Sequence, residues 1–96
     1  MDRIYNYFSK QIIDYFSLTA DQFDRLTDQQ SDILSYIFDY GSISPMEAFS
    51  DLNITKLSTR ISEMKAMGIE FDQAFETRKN RFGKTVRYMR YRRAAA

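Results

Sequence analysis

The 96-residue sequence predicts a mainly α-helical domain that ends in a β-hairpin. Several helix-start signals pair a Ser or Thr with a Gln or Glu three residues later, which is the pattern of a capping box. After Gly68 the spacing of apolar residues changes from the helical period of about 3.6 to the strand period of about 2. Charge also divides the chain, because residues 1–53 hold three basic and nine acidic side chains whereas residues 54–96 hold eleven basic and four acidic ones. We therefore expect one small domain whose C-terminal part meets a polyanion.

The first helix is predicted over Met1–Ser17, where apolar residues recur at steps of three and four. Its apolar surface exceeds what one core-facing stripe needs. Two explanations remain open: the helix packs within the chain, or it forms a face that binds a second copy of the chain or a protein partner. The residues of this candidate partner face are Tyr5, Phe8, Ile12, Tyr15 and Phe16.

Two further helices are predicted from capping boxes. Thr19 with Gln22 starts a short helix near residues 20–26. Thr27 opens a second box and a longer amphipathic helix, which Gly41 ends by adopting a left-handed conformation.

A tight helix-turn-helix is predicted next. Pro45 at the first helical position follows Ser44 as the N-cap, and Asn53 ends this helix because Asn tolerates positive φ. The second helix of the pair is predicted over residues 55–67, with Thr55 as its cap. Its buried stripe consists of Leu57, Ile61 and Met64.

A β-hairpin is predicted after the last helix, since apolar and polar residues alternate on either side of a basic tip at Arg78–Lys84. Ile43 belongs to too short a segment for an independent strand, but it could pair with this hairpin. On this interpretation residues 1–27 are an N-terminal helical extension, residues 28–93 are the main domain, and residues 94–96 are a disordered tail or an artificial remnant.

The order of helix, short strand, short helix, tight turn, longer helix and basic hairpin is typical of a winged helix-turn-helix domain. Ser31–Arg92 resembles the small winged helix-turn-helix domains of bacteriophages and mobile elements, above all in SDILSYIFDYGSISPMEAFSDLNITKLSTRISEMKAMGIEF. The matching positions are Ile33 and Leu34, the run Gly41-Ser42-Ile43-Ser44, the pair Glu47-Ala48, and Leu57, Arg60 and Ile61. The chain departs from the family pattern at Asn53, where the pattern has Gly, and in its first thirty residues, which have no counterpart.

This resemblance implies a sequence-specific double-stranded DNA-binding protein, acting as a transcriptional regulator or DNA accessory factor of phage or mobile-element type. Its second helix would enter the major groove, and its hairpin, the wing at residues 77–85, would reach the adjacent backbone. The groove-facing candidates are Thr55, Lys56, Thr59, Arg60, Ser62 and Glu63. The wing candidates are Arg78, Lys79, Arg81, Phe82, Lys84 and Arg87, with the aromatic ring placed to stack or wedge.

Plainer alternatives stand beside this interpretation. The helix face could be merely solvated, with an Arg60–Glu63 ion pair, and the basic hairpin could be a charged edge that resists aggregation. A second functional class is an interaction protein that uses the same scaffold to bind and inhibit a host protein.

Absent residue types narrow the functional classes further. The chain has no Cys and no His, so it lacks thiol nucleophiles, the commonest general base and the commonest metal ligand. We expect no enzymatic activity, no cofactor and no metal. Short apolar runs and early charges argue against a transmembrane span and a secretory signal. The expected location is the cytoplasm of a bacterial host, without membrane contact, and the expected partners are double-stranded DNA, a second copy or a host protein.

Overall fold

The structure, a computed structural model, describes residues 7–95, with side chains from Ser9 onward. Within this range the chain forms helices first and a hairpin last. The elements are α1 (Tyr7–Phe16), α2 (Ala20–Asp24), α3 (Asp28–Tyr40), α4 (Pro45–Leu52), α5 (Leu57–Ala66), β1 (Phe71–Lys79) and β2 (Thr85–Arg93). The prediction of a mainly α-helical domain that ends in a β-hairpin is confirmed.

Capping boxes start three of the helices, as the sequence predicts. At α4 the Ser44 hydroxyl accepts from the Glu47 N–H at 3.2 Å, and the Glu47 carboxylate accepts from the Ser44 N–H at 2.9 Å. The same reciprocal bonds join Thr19 with Gln22 at α2 and Thr27 with Gln30 at α3. Each box satisfies two backbone donors that a helix start would otherwise leave unpaired.

Two residues in the left-handed region separate the central helices. Gly41 ends α3 with φ of +89°, and Asn53 ends α4 with φ of +57°. The predicted Thr55 cap on the next helix is wrong: α5 begins two residues later, after Lys56, and no side chain caps it. Burial of the Ile54 side chain in the core explains the difference, and a local backbone bond from Ile54 N–H to Ala48 O at 3.0 Å closes the turn after α4.

The hairpin is antiparallel and pairs Phe71 with Arg93 at its base and Lys79 with Thr85 near its tip. Its first strand begins at Phe71, two residues after the start of the alternation in the sequence at Ile69. Ile43 adds a short third segment, since its N–H and C=O bond Tyr91 at 2.8 and 2.9 Å. This isolated bridge confirms the expected pairing and ties the hairpin to the chain segment that precedes α4.

A single hydrophobic core joins all of these elements. At its centre Ile33, Leu34 and Ile37 of α3 pack with Ile61 and Met64 of α5. This arrangement confirms the predicted buried stripe of the second helix. None of the helices within residues 7–95 combines the length and apolar character that crossing a bilayer requires.

Helix α1 packs onto the same core. This packing accounts for Ile12, Tyr15 and Phe16, three of the five residues predicted to form a partner face. Ile12 and Phe16 are buried within the chain, so they offer no surface to a partner. Tyr15 is half-buried. Its ring is roughly perpendicular to that of Phe38, with 5.2 Å between the ring centres, and the Arg93 guanidinium carbon lies 4.2 Å from the centre of the Tyr15 ring. Its apolar contacts are therefore intramolecular as well. The remaining two residues of that candidate face, at positions 5 and 8, have side chains outside the described part of the chain.

Candidate nucleic-acid interface

Helices α4 and α5 form a helix-turn-helix whose second member presents one face to solvent. Burial of Leu57, Ile61 and Met64 fixes the rotation of α5, because side chains three and four apart share a face. The opposite face carries small polar and charged groups. Its exposed candidates are Thr59, Ser62 and Glu63, and the exposed candidates Thr55 and Lys56 lie in the turn just before α5.

Arg60, the remaining candidate on α5, is partly withdrawn from that face. Its side chain is only 28% exposed, and its Nε lies 3.3 Å from Glu63 Oε1. The same Glu63 oxygen accepts a hydrogen bond from Gln30 of α3 at 3.1 Å. The structure therefore contains the ion pair that the plainer interpretation of this face expects. The Arg60 Nε itself is buried and makes no hydrogen bond within the described residues.

The hairpin tip is held in a defined turn by one side chain. Asn80 Oδ1 accepts from the backbone N–H groups of Phe82 at 2.9 Å and of Lys84 at 3.1 Å. Backbone bonds from Asn80 N to Lys84 O at 2.9 Å and from Gly83 N to Asn80 O at 3.0 Å close the loop. Gly83 has φ of +77°, a conformation that side-chain-bearing residues rarely adopt.

The wing candidates are displayed around this turn. All six are exposed, and none of the ion pairs within residues 9–95 involves them. Arg87 differs from the others, because its guanidinium stacks 3.6 Å from the centre of the Phe75 ring. The tip thus concentrates positive charge that no carboxylate of the described chain neutralises.

A polar network that sequence reasoning missed anchors the wing to α4. Arg90 of β2 is 17% exposed and donates to Glu47 at 2.8 Å, to Ser42 at 3.0 Å and to Glu76 at 2.9 Å. Tyr88 donates its hydroxyl to Glu76 at 2.9 Å. These bonds from Arg90 and Tyr88 hold the pKa of Glu76 below its usual value. Arg90 is therefore a structural cation, unlike the exposed residues at the tip.

An open groove of about 760 Å³ separates the start of α4 from the wing. Ser44 and Met46 line the helix side, and Arg78, Val86 and Tyr88 line the hairpin side. The groove therefore continues the basic surface of the wing toward the N-terminal end of α4.

A family model described as a winged helix-turn-helix domain matches residues 28–94. The chain belongs to this family. Comparison with curated proteins found no match, and comparison with solved structures found none either. Membership confirms the winged-helix resemblance.

In winged-helix terms, α4 and α5 are the helix-turn-helix and the β1–β2 hairpin is the wing. Domains of this kind typically bind DNA and are typically not enzymes. Family membership therefore indicates DNA binding for this protein.

Proposed function

We propose that the protein is a sequence-specific double-stranded DNA-binding protein that acts as a transcriptional regulator or DNA accessory factor of phage or mobile-element type in the cytoplasm of a bacterial host. Helix α5 enters the major groove, and the wing binds the adjacent backbone. The observation that carries this proposal is the exposed cluster of cations at the wing tip, formed by Arg78, Lys79, Arg81 and Lys84, none of which forms an ion pair within the described residues.

Charge distribution supports DNA as the partner of the wing. No acidic residue follows Glu76 in the sequence, so the whole second strand and the tip are either cationic or neutral. Phosphates attract such a surface independently of base sequence, and each neutralised phosphate releases condensed counterions. This contribution would supply affinity, while base selection must come from elsewhere.

Exposed positions on α5 and at the residue before it are suited to base selection. Lys56 can donate to guanine O6 and N7, and Thr59 and Ser62 can contact base edges, phosphates or a thymine methyl group. Arg60 has the same capability as Lys56 once its guanidinium leaves the Glu63 carboxylate.

Selection from a library of random duplexes tests the proposal. We expect wild-type protein at about 50 mM salt to enrich a common motif, with affinity that falls as salt rises. A Thr59→Ala/Ser62→Ala variant should enrich a different or weaker motif, because these side chains face the bases in the proposed complex. Tyr40→Ala is the matched control, since Tyr40 is an exposed residue at the end of α3, next to Asp39. Absence of salt-dependent duplex binding by the wild type would overturn the proposal.

A further inference from the structure

The most exposed large apolar side chain of the described chain lies at the wing tip. Phe82 is 79% exposed, more than Tyr40 at 72%. No aromatic ring or cation among the described residues covers its ring, whereas the ring of Phe75 further down the wing is covered by Arg87. A partner that buries this ring gains the free energy of removing its apolar surface from water.

Hydrogen bonds close the backbone at this point into a turn. The Phe82 N–H is bonded to Asn80 Oδ1, and the next residue, Gly83, takes the positive φ that the turn needs. The backbone that carries the ring is therefore already in a closed turn, so the loop itself need not reorganise when the ring becomes buried.

The surroundings of the ring define the partner. Arg81 precedes it in the sequence, Lys84 follows Gly83, and Arg78 and Lys79 lie at the end of β1. An apolar ring among cations suits a partner with stacked apolar surfaces behind a layer of negative charge. Duplex DNA has this arrangement, because its base pairs stack behind two rows of phosphates.

We infer that Phe82 is a wedge that inserts between base pairs from the minor groove and bends the duplex, an inference that rests on the proposed DNA-binding function. Proteins that insert Phe or Leu in this way partly unstack one base step and kink the DNA toward the major groove. Pyrimidine–purine steps such as TA unstack most easily. The wing therefore contributes to site choice through DNA deformability, whereas α5 contributes through base contacts.

The test uses the duplex obtained by selection, with the fluorescent base 2-aminopurine placed at successive steps under the wing and dyes at the two ends. Binding of the wild type should raise 2-aminopurine emission by about twofold or more at one step, because unstacking relieves quenching, and should raise energy transfer between the ends. Phe82→Ala, measured at protein concentrations that saturate the duplex, should abolish both signals. Phe82→Leu, which keeps an apolar wedge, should retain most of both, and Tyr40→Ala should retain them fully.

A duplex with an unpaired nucleotide at the responsive step provides a second measurement. The wild type should bind it about tenfold more tightly than the intact duplex, since that step is already unstacked, and Phe82→Ala should lose this preference. Wild-type binding without unstacking or bending would overturn the wedge and leave DNA binding intact. If Phe82→Ala lowers the affinity for single strands and for duplexes equally, and the wild type gives no unstacking signal, the ring stacks on bases and the wedge is also overturned. Failure of the wild type to bind any duplex would overturn both proposals.

Discussion

Arg90 on β2 and Glu47 on α4 join the wing to the start of the helix-turn-helix, with Nη1 2.8 Å from Oε1. The same Glu47 oxygen accepts from the Ser44 backbone N–H at 2.9 Å and thereby completes the capping box of α4. One carboxylate oxygen therefore serves both the helix start and the attachment of the wing. This shared contact holds the wing against α4, beside the backbone bridge between Ile43 and Tyr91.

Arg90→Ala is expected to lower the free energy of unfolding by about 1 to 3 kcal/mol, because it removes charge-assisted hydrogen bonds from a mostly buried site. Chemical denaturation measures the change. Glu47→Gln should have a smaller effect, since Gln closes the capping boxes of α2 and α3 and can close this one too. Arg92→Ala, at an exposed neighbouring position, should change stability by less than about 0.5 kcal/mol. Equal effects of Arg90→Ala and Arg92→Ala would contradict the anchoring role.

Glu76 should make stability depend on pH in the acid range. Its hydrogen bonds from Arg90 and Tyr88 lower its pKa in the folded protein below the ordinary value of 4.5, so the unfolded chain takes up the proton first as pH falls. The stabilisation is fully present above pH 4.5 and is lost as pH falls through the lower, folded-state pKa. Urea denaturation from about pH 7 to about pH 3 should therefore show a shallower acid limb for Glu76→Gln than for the wild type.

The control for the pH experiment is Glu70→Gln. Glu70 is exposed, and no ion pair within the described residues involves it. Its replacement should leave the acid limb close to that of the wild type. An unchanged acid limb in Glu76→Gln would show that the Arg90–Glu76 contact does not stabilise the folded protein.

Phe16→Ala tests whether α1 belongs to the core of the domain. Phe16 is buried, and its ring centre lies 6.2 Å from that of Phe71 at the base of the wing. We expect a loss of about 3 kcal/mol in the free energy of unfolding, typical of a large aromatic removed from a core. Lys10→Ala, an exposed position on the same helix, should be within about 0.5 kcal/mol of the wild type. A Phe16→Ala protein as stable as the Lys10→Ala protein would contradict the packing of α1 into the core.

Local signals account for the parts of the fold that the sequence predicts well. A capping box such as Thr27 with Gln30 needs only residues three apart. The left-handed conformations follow from residue type alone, because Gly41 has no Cβ and Asn53 has a short polar side chain. Burial of the α5 stripe likewise follows from helical spacing. Thr55 illustrates the limit, because the start of α5 is set by Ile54 entering a core built from distant elements.

The sequence predicts the exposed residues of the wing tip, but it does not predict the contacts that attach the wing to α4. The exposed cations and Phe82 at the tip follow from the composition of the hairpin loop. Arg90 and Glu76 meet only because the hairpin register places them diagonally on one face, and Glu47 joins them through packing of α4 beside β2. The linear sequence contains no signal for that contact. Without the pairing register of β1 and β2, Arg90 cannot be distinguished from the exposed cations of the wing.

Arg60→Ala should lower affinity for the selected duplex by about 1 to 3 kcal/mol if Arg60 reads a base, with a smaller loss on random DNA. Titration of both duplexes measures the difference. The loss for Arg60→Ala is compared with the loss for Lys56→Ala on the same two duplexes. Lys56 is exposed just before α5 and forms no ion pair within the described residues, so no intramolecular contact has to break before it binds. A thermal melt must accompany the measurement, since Arg60 is half-buried beside Glu63. Equal losses on both duplexes would assign Arg60 to a phosphate instead.

The wing should supply affinity that depends on salt and not on base sequence. Each phosphate neutralised by Lys or Arg contributes a slope of roughly −0.9 to the dependence of log K on log salt concentration. Replacement of the four unpaired tip cations by Ala should make the slope shallower by roughly two to four units and weaken all duplexes about equally, while the preference set by α5 persists. The residues replaced are Arg78, Lys79, Arg81 and Lys84.

A charge control separates phosphate contact from a general effect of net charge on this measurement. Lys10→Ala/Arg25→Ala removes two exposed cations from α1 and from the end of α2, within the acidic half of the chain. If the wing contacts phosphates, this double variant leaves the slope unchanged within about half a unit, because neither side chain faces DNA in the proposed complex. A slope that falls in proportion to the charges removed, wherever they lie, would show that the wing acts only through the net charge of the protein. A slope that changes only in the wing variant would show that the counterions are released by phosphate contacts at the tip that presents Phe82.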